Sequence, residues 1–176
     1  MYCDYTEKII KRYKIRNNYV TKWQYLNDPE RVKNRLPDTM GVYFVIYPYD
    51  RKDDMFMNPG TGGYFKGKDP NVPIDVLCSK WVEGADILYI GKAGGITKSG
   101  RTSNATLRKR IIELLKFGCG NGIGHWGGRY LWQHKENEDF PIYWYDCNQE
   151  NPVELERMLI EDFIVEYGVK PFANLR

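Results

Sequence analysis

Residues 41–47 read GVYFVIY, and residues 87–91 read ILYIG. Both runs are rich in the β-branched and aromatic residues that favour strands, and their consecutive apolar positions are typical of strands buried on both faces. Pro48 ends the first run, because proline cannot continue the hydrogen-bonded ladder of an interior strand. Residues 141–147 (PIYWYDC) have the same character. These three runs predict a small sheet of three strands.

The segment after the second strand has the spacing of an amphipathic helix. Its apolar residues recur three or four positions apart over residues 106–117, at Leu107, Ile111, Leu114 and Leu115. A glycine-rich linker, residues 118–124, follows this predicted helix. The next segment, residues 125–132 (HWGGRYLW), is compatible either with a turn and a strand or with a short helix.

The last helix has the clearest boundary signals in the chain. Asn151 is a favoured N-cap residue, Pro152 occupies the first turn, and Gly168 ends the helix. Its predicted buried stripe consists of Leu155, Leu159 and Phe163. Together with the strands, these helices predict an α/β domain of the α+β type over residues 41–176. Its core is a small antiparallel sheet of three strands flanked by helices.

Two segments lie outside this core pattern. Residues 1–40 are polar and basic and are predicted to form a helical extension, which is either a solvated surface or an arm that contacts a DNA backbone. Its candidates for docking on the core are Trp23, Tyr25 and Leu26. Residues 49–85 are rich in Gly, Pro and Asp and form a long insertion between the first two strands. An insertion of this length usually has a function or a small hairpin of its own.

The composition sets weaker bounds on function. The net charge is +3, from 26 basic and 23 acidic residues, which permits nucleic-acid binding without arguing for it. No stretch approaches the roughly 18 consecutive apolar residues of a membrane span, and the N-terminus lacks a secretory signal, so we expect a cytoplasmic protein without a membrane partner. The cysteines are far apart and form no CxxC pair, so we expect free thiols and no structural zinc at Cys3, Cys78, Cys119 and Cys147.

An ordered set of short motifs carries the functional signal. The chain contains GVY at residues 41–43, YIGKA at 89–93 and PFAN at 171–174, with LRKRI and ERMLI on the two intervening helices. Each motif alone is weak, but the five in this order resemble the GIY-YIG nuclease superfamily. This superfamily includes homing endonucleases, the incision subunit of bacterial nucleotide-excision repair and some type II restriction enzymes. The resemblance extends from Gly41 to Asn174.

The resemblance implies a function and a set of active-site positions. The implied activity is endonucleolytic hydrolysis of DNA with one Mg²⁺ or Mn²⁺ ion, bound by Glu156, and without a small-molecule cofactor. The residues at the positions of the motif are Tyr43, Tyr89, Lys92, Arg110, Glu156 and Asn174. The chain departs from the family pattern at Leu114, where many members have a histidine. That role is either absent or supplied by His125, which alternatively only orders its glycine-rich turn.

The chemistry of phosphodiester hydrolysis agrees with these roles. Arg110 is permanently charged, and its planar fork matches the geometry of a phosphate. Glu156 is a single carboxylate, which suits one hard divalent ion that keeps most of its waters. A tyrosine near a metal ion and an ammonium such as that of Lys92 can have its pKa lowered enough to accept a proton from water. The sequence leaves open whether Tyr43 or Tyr89 is that base, and whether Asn174 supports the site or only holds the C-terminal segment.

The insertion offers a second predicted contact with substrate. Residues 60–68 (GTGGYFKGK) combine flexible backbone with aromatic and basic side chains, a mixture suited to following a phosphate backbone while stacking on bases. The predicted nucleic-acid contacts outside the active site are Phe65, Lys66, Lys68, Lys98 and Arg101. The alternative is that Tyr64 and Phe65 cover part of the core.

Two other readings of the whole chain compete with the DNA nuclease. A non-catalytic DNA-binding module could keep the same fold, and a nuclease with the same active site could act on RNA. An unpaired glutamate at position 156 favours a catalyst over a binder, because a binder has no need of a metal ligand there. The sequence leaves open whether the protein is a monomer or a homodimer.

Overall fold

The computed structural model describes residues 1–50 and 54–175; residues 51–53, part of the predicted insertion, and residue 176 lie outside the described residues. The strands are β1 (Tyr19–Val20), β2 (Gly41–Ile46), β3 (Ile87–Ala93), β4 (Gly95–Ile96), β5 (Thr102–Ser103) and β6 (Ile142–Asp146). The helices are α1 (Asp4–Arg12), α2 (Lys22–Asn27), α3 (Pro29–Arg35), α4 (Ile74–Lys80), α5 (Leu107–Gly118), a 3₁₀ helix (Trp126–Gln133) and α6 (Pro152–Tyr167). The predicted α+β class is confirmed.

The central sheet is antiparallel, with the strand order β1-β6-β2-β3. The three predicted strands are β2, β3 and β6, and they form its core. The predicted count of three is one too low, because β1 adds a fourth strand through the pairs Tyr19↔Tyr143 and Val20↔Ile142. A strand of two residues is too short to show an alternating pattern, so only its pairing with β6 reveals it. Strand β3 lies at the opposite edge of the sheet.

The two faces of the sheet are covered by different helices. Along β2, Tyr43 and Val45 point to the face that α5 and α3 cover, which we call the front face. Val42, Phe44 and Ile46 point to the face that α1 and α6 cover, which we call the back face. This alternation is the two-residue period of a strand, and both helices contribute the apolar stripes expected of them. The predicted stripe residues are all buried: Leu107, Ile111, Leu114, Leu115, Leu155, Leu159 and Phe163.

Only one of the three residues that the sequence suggested for docking the N-terminal 40 residues, Tyr25, packs on the core. Trp23 and Leu26 are 55% and 49% exposed, so that prediction is wrong for both; Tyr25 is partly buried. Instead, isolated aliphatic residues dock the segment on the two faces, at Ile9, Ile10, Ile15, Val20, Val32 and Leu36. Helix α2 is held by the buried Lys22, whose Nζ donates hydrogen bonds to Thr61 Oγ1 (2.9 Å) and Asn137 Oδ1 (2.7 Å).

The insertion packs closely on the glycine-rich linker. A Cβ atom at Gly63 would lie 2.1 Å from the Asn121 carbonyl oxygen, and one at Gly60 would lie 2.4 Å from the Trp132 carbonyl oxygen. The backbone N–H of Gly63 donates to the Phe117 oxygen (2.9 Å), and that of Thr61 donates to the Trp132 oxygen (2.9 Å). These glycines therefore permit close approach between two backbones, whereas the sequence analysis treated them as flexible.

A small hairpin of β4 and β5 leads from β3 to α5. Asn151, the N-cap of α6, fixes it: its Oδ1 accepts from the Ile96 N–H (3.0 Å), and its Nδ2 donates to the Ile96 oxygen (2.7 Å). Helix α6 ends as predicted at Gly168, which has a φ of 76°. All four cysteines are unpaired. Within residues 1–50 and 54–175, no helix combines the length and apolar character needed to cross a membrane.

Candidate active site

A cleft of about 440 Å³ lies beside the edge strand β3. Helix α5 contributes Arg110 to its lining, α6 contributes Glu156, and the C-terminal segment contributes Asn174. All seven residues that the sequence analysis named for the active site line this cleft: Tyr43, Tyr89, Lys92, Arg110, His125, Glu156 and Asn174. They come from six separate segments of the chain, which only the tertiary fold brings together.

The position of Tyr43 explains why position 91 is a glycine. Tyr43 on β2 pairs with Gly91 on the edge strand β3. A Cβ atom at Gly91 would lie 2.5 Å from Tyr43 Cζ and 2.6 Å from its hydroxyl oxygen, so the ring crosses the edge strand over this residue. The absence of a side chain at Gly91 therefore lets the buried Tyr43 reach the cleft.

Tyr43 and His125 form a buried pair. The Tyr43 hydroxyl and His125 Nε2 are 2.9 Å apart, and both side chains are almost fully buried. Burial, together with the charge of Arg110, lowers the pKa of His125 to about 3. Burial raises the pKa of Tyr43, with further contributions from Tyr89 and Glu156, while Arg110 opposes the shift. Both groups are therefore neutral near pH 7, and their hydrogen bond joins two uncharged partners.

His125 reaches this position from the glycine-rich linker. The helix position at which the family pattern has a histidine is Leu114, which is fully buried in the core. A Cβ atom at Gly128 would lie 3.5 Å from His125 Nδ1 and 3.6 Å from Leu114 Cδ1. His125 and Leu114 thus both lie near Gly128, and His125 bonds directly to Tyr43.

Arg110 is held in the cleft by a residue that the sequence analysis missed. Its Nη1 donates to Glu113 Oε2, one helical turn away on α5, and both side chains are largely buried. Burial by itself would lower the pKa of Arg110. The contributions of Tyr43 and Glu113 outweigh this effect, so the pKa of Arg110 is raised. The spacing of three residues on a predicted helix was the signal that could have identified Glu113.

Glu156 and Lys92 form an ion pair on the opposite side of the cleft. Lys92 Nζ donates to Glu156 Oε2 over 2.7 Å, and the side chains are 34% and 20% exposed. In the part of the chain that the structure describes, no three His, Cys, Asp or Glu side chains cluster as a metal site. A single carboxylate on an open cleft fits a divalent ion that keeps most of its water ligands, as Mg²⁺ does.

Asn174 acts on the edge strand. Its Oδ1 accepts from the Ile90 N–H (2.9 Å), and its Nδ2 donates to the Ile90 oxygen (2.8 Å). The side chain thus satisfies both backbone groups of the residue between Tyr89 and Gly91, groups that an edge strand would otherwise leave unpaired. Asn174 therefore holds the C-terminal segment against the strand that carries Tyr89, and its support of the active site stays a prediction.

The predicted nucleic-acid contacts outside the active site fall into two groups in the structure. Phe65 lines the cleft and packs partly on the core, whereas Tyr64 is 59% exposed, so the reading that Tyr64 covers the core is wrong. The basic residues lie on the exposed surface outside the lining of the cleft: Lys66 and Lys68 in the insertion, and Lys98 and Arg101 around the β4–β5 hairpin. The sequence analysis missed Trp126, which follows His125 and also lines the cleft.

Comparisons of the chain with protein-family models, with curated proteins and with solved structures gave no match. What can be inferred about the cleft therefore rests on its own geometry and on the resemblance carried by the five motifs.

Proposed function

We propose that this protein is a GIY-YIG-type endonuclease that hydrolyses phosphodiester bonds of DNA with one divalent metal ion. The observation that carries the proposal is the convergence of six residues from the five motifs around one cleft, where His125 from the glycine-rich linker joins them. A cleft that joins a guanidinium, an ammonium, a carboxylate and two phenols has the groups that phosphodiester hydrolysis requires.

Arg110 binds the scissile phosphate in this proposal. Its side chain is largely buried, and its ion pair with Glu113 restricts the side chain before substrate arrives. A charged fork held in advance stabilises negative charge that develops on a phosphate at little reorganisation cost. Lys92 provides a second positive charge across the cleft, where it also orients the carboxylate of Glu156.

Tyr43 accepts the proton of the attacking water, and His125 completes this transfer. As the water oxygen bonds to phosphorus, its proton moves to the Tyr43 oxygen while the phenol proton moves to His125 Nε2, 2.9 Å away. The P–O bond to the leaving oxygen breaks, and this oxygen takes a proton from solvent. The transfer avoids a buried phenolate, which the raised pKa of Tyr43 disfavours. The negative charge of the bound phosphate offsets the burial and the Arg110 charge that lower the pKa of His125.

Glu156 would hold the divalent ion. When bound, the ion supplies charge compensation at the phosphate and lowers the pKa of a water ligand. Glu156 lies on α6, whose buried stripe packs on the back face of the sheet, so the carboxylate is on a rigid element. The ion pair with Lys92 limits the rotation of the Glu156 side chain, which keeps the carboxylate directed at the cleft.

A plasmid-nicking assay tests the proposal. We expect conversion of supercoiled DNA to nicked circles with Mg²⁺ or Mn²⁺, and no conversion in EDTA. Purified Glu156→Gln protein is the control for a contaminating nuclease, and it should bind DNA but leave it intact. Binding without nicking by the wild-type protein would favour the non-catalytic DNA-binding module. Faster cleavage of RNA than of DNA of the same sequence would indicate that the substrate is RNA.

A further inference from the structure

Two aromatic rings line the cleft without a role in the proposed chemistry. They are Phe65, from the insertion, and Trp126, the first residue of the 3₁₀ helix. Each ring has a cation over one face: Lys66 Nζ lies 5.3 Å from the centroid of Phe65, and Arg129 Cζ lies 4.6 Å from that of Trp126. The cleft is thus bordered by two cation–aromatic pairs next to Arg110 and Tyr43.

The backbone holds both rings in place. Residues 65–68 form a tight turn, closed by hydrogen bonds from Phe65 N–H to the Lys68 oxygen (3.2 Å) and from Lys68 N–H to the Phe65 oxygen (3.0 Å). The edge of Phe65 lies against the linker, since a Cβ atom at Gly124 would be 3.5 Å from Phe65 Cζ. Trp126 directly follows His125 in the chain. Both aromatic residues therefore line the same cleft as the proposed catalytic pair.

Aromatic rings that line the cleft can stack on the base next to the scissile phosphate. Aromatic side chains bind nucleic acid mainly by stacking on the face of a base. In a continuous duplex the neighbouring base pairs cover these faces, so an aromatic ring can reach one only where a nucleotide is unpaired or turned out of the stack. Lys66 and Arg129, on the rings, supply positive charge for the phosphates on either side of such a nucleotide.

We propose that Phe65 and Trp126 form a stacking site for an unpaired nucleotide beside the scissile phosphate, so that the preferred substrate is a strand interruption such as a bulge, flap or junction. This inference rests on the proposed nuclease function and specifies its substrate. Both rings pack partly on the core, and both remain partly exposed at the cleft. An unpaired base could stack on the exposed part of a ring, whereas a continuous duplex offers no free base face.

The test measures binding and does not depend on cleavage. The Glu156→Gln protein is titrated in EDTA with two fluorescent hairpin DNAs of the same sequence, one fully paired and one with a single-nucleotide bulge. We expect the bulged DNA to bind about tenfold more tightly. Trp126→Leu in the same background should remove most of this preference, because stacking on one aromatic ring contributes about tenfold or more per base.

Matched variants separate stacking from folding. Trp126→Phe keeps a ring and should retain most of the preference, and Trp23→Leu removes an exposed tryptophan elsewhere and should change nothing. Phe65→Leu should weaken binding of the bulged DNA alone. Equal affinity for the two DNAs, or equal losses on both in the Trp126 and Phe65 variants, would overturn the stacking site while leaving the nuclease proposal standing. Absence of binding to either DNA would overturn both.

Discussion

The front and back faces of the central sheet both bury tyrosines, but in different chemical surroundings. On the back face, burial raises the pKa values of Tyr5 and Tyr13, and the hydroxyls of both have no hydrogen-bond partner within the described residues. On the front face, burial also raises the pKa of Tyr43, but its hydroxyl bonds to His125 and faces the charge of Arg110. A buried tyrosine therefore becomes a candidate for chemistry through what neighbouring elements bring to it.

The largest expected effect concerns Glu156, through which the back-face helix α6 contributes to the cleft. Glu156→Ala should reduce Mg²⁺-dependent nicking by roughly 1,000-fold or more, since a catalytic ion supplies several kcal/mol of charge stabilisation. Glu161→Ala, an exposed glutamate on the same helix, is the control and should cut at the wild-type rate. Circular dichroism should show that both variants keep the fold. Nicking by the Glu156 variant at the wild-type rate would remove this residue from the site.

The next comparison is direct, because it removes one hydroxyl from each face. Tyr43→Phe should lower the nicking rate by about 10²–10⁴-fold, the contribution typical of a general base. Tyr13→Phe should leave activity unchanged and stabilise the protein by roughly 1 kcal/mol, since it removes a buried hydroxyl that lacks a partner. The measurements are nicking kinetics and urea unfolding of both variants. If the two substitutions had the same effect on nicking, the distinction between the faces would fail for catalysis.

A smaller effect is expected from a substitution of Arg110 that keeps the positive charge but loses the planar guanidinium. Arg110→Lys should slow nicking by about 10–100-fold, less than the ~10²–10³-fold that loss of a whole donor costs. A lysine cannot reproduce the fork that matches a phosphate. Arg108→Lys is the matched control, because Arg108 lies two residues away and bonds to the Leu36 oxygen (3.0 Å) outside the cleft. Similar rates for both lysine variants would indicate that position 110 contributes charge alone.

The smallest expected effect concerns how the free energy of unfolding changes with pH. The pKa of His125 falls from 6.5 to about 3 on folding, so the unfolded chain binds a proton between these values while the folded protein does not. This contribution to stability is therefore present above about pH 6.5 and is lost as the pH falls, by roughly 2 kcal/mol at pH 5. Urea unfolding of wild-type and His125→Asn protein at pH 5 and pH 8 measures it. The variant should show a weaker loss on acidification, and an identical loss would contradict the burial of a neutral imidazole.

Sequence reasoning was most accurate where the signal is local. The strands β2, β3 and β6 and the helices α5 and α6 were predicted because apolar spacing repeats along each segment. It was least accurate where the contact partner is far along the chain. Strand β1 is visible only through its pairing with β6, and the glycines at 60 and 63 were taken as flexible when they allow contact with Trp132 and Asn121. No property of either segment alone indicates its partner.

The sequence by itself determined the class of the fold, the main helices and strands, and the order of the motif residues, because these depend on periodicity and residue type within short windows. Only the tertiary structure decided that His125 lies beside Tyr43 and that Phe65 and Trp126 border one cleft. These contacts join residues whose separation in sequence bears no relation to their distance in space. They depend on how all the helices and strands pack at once, which no short window of sequence contains.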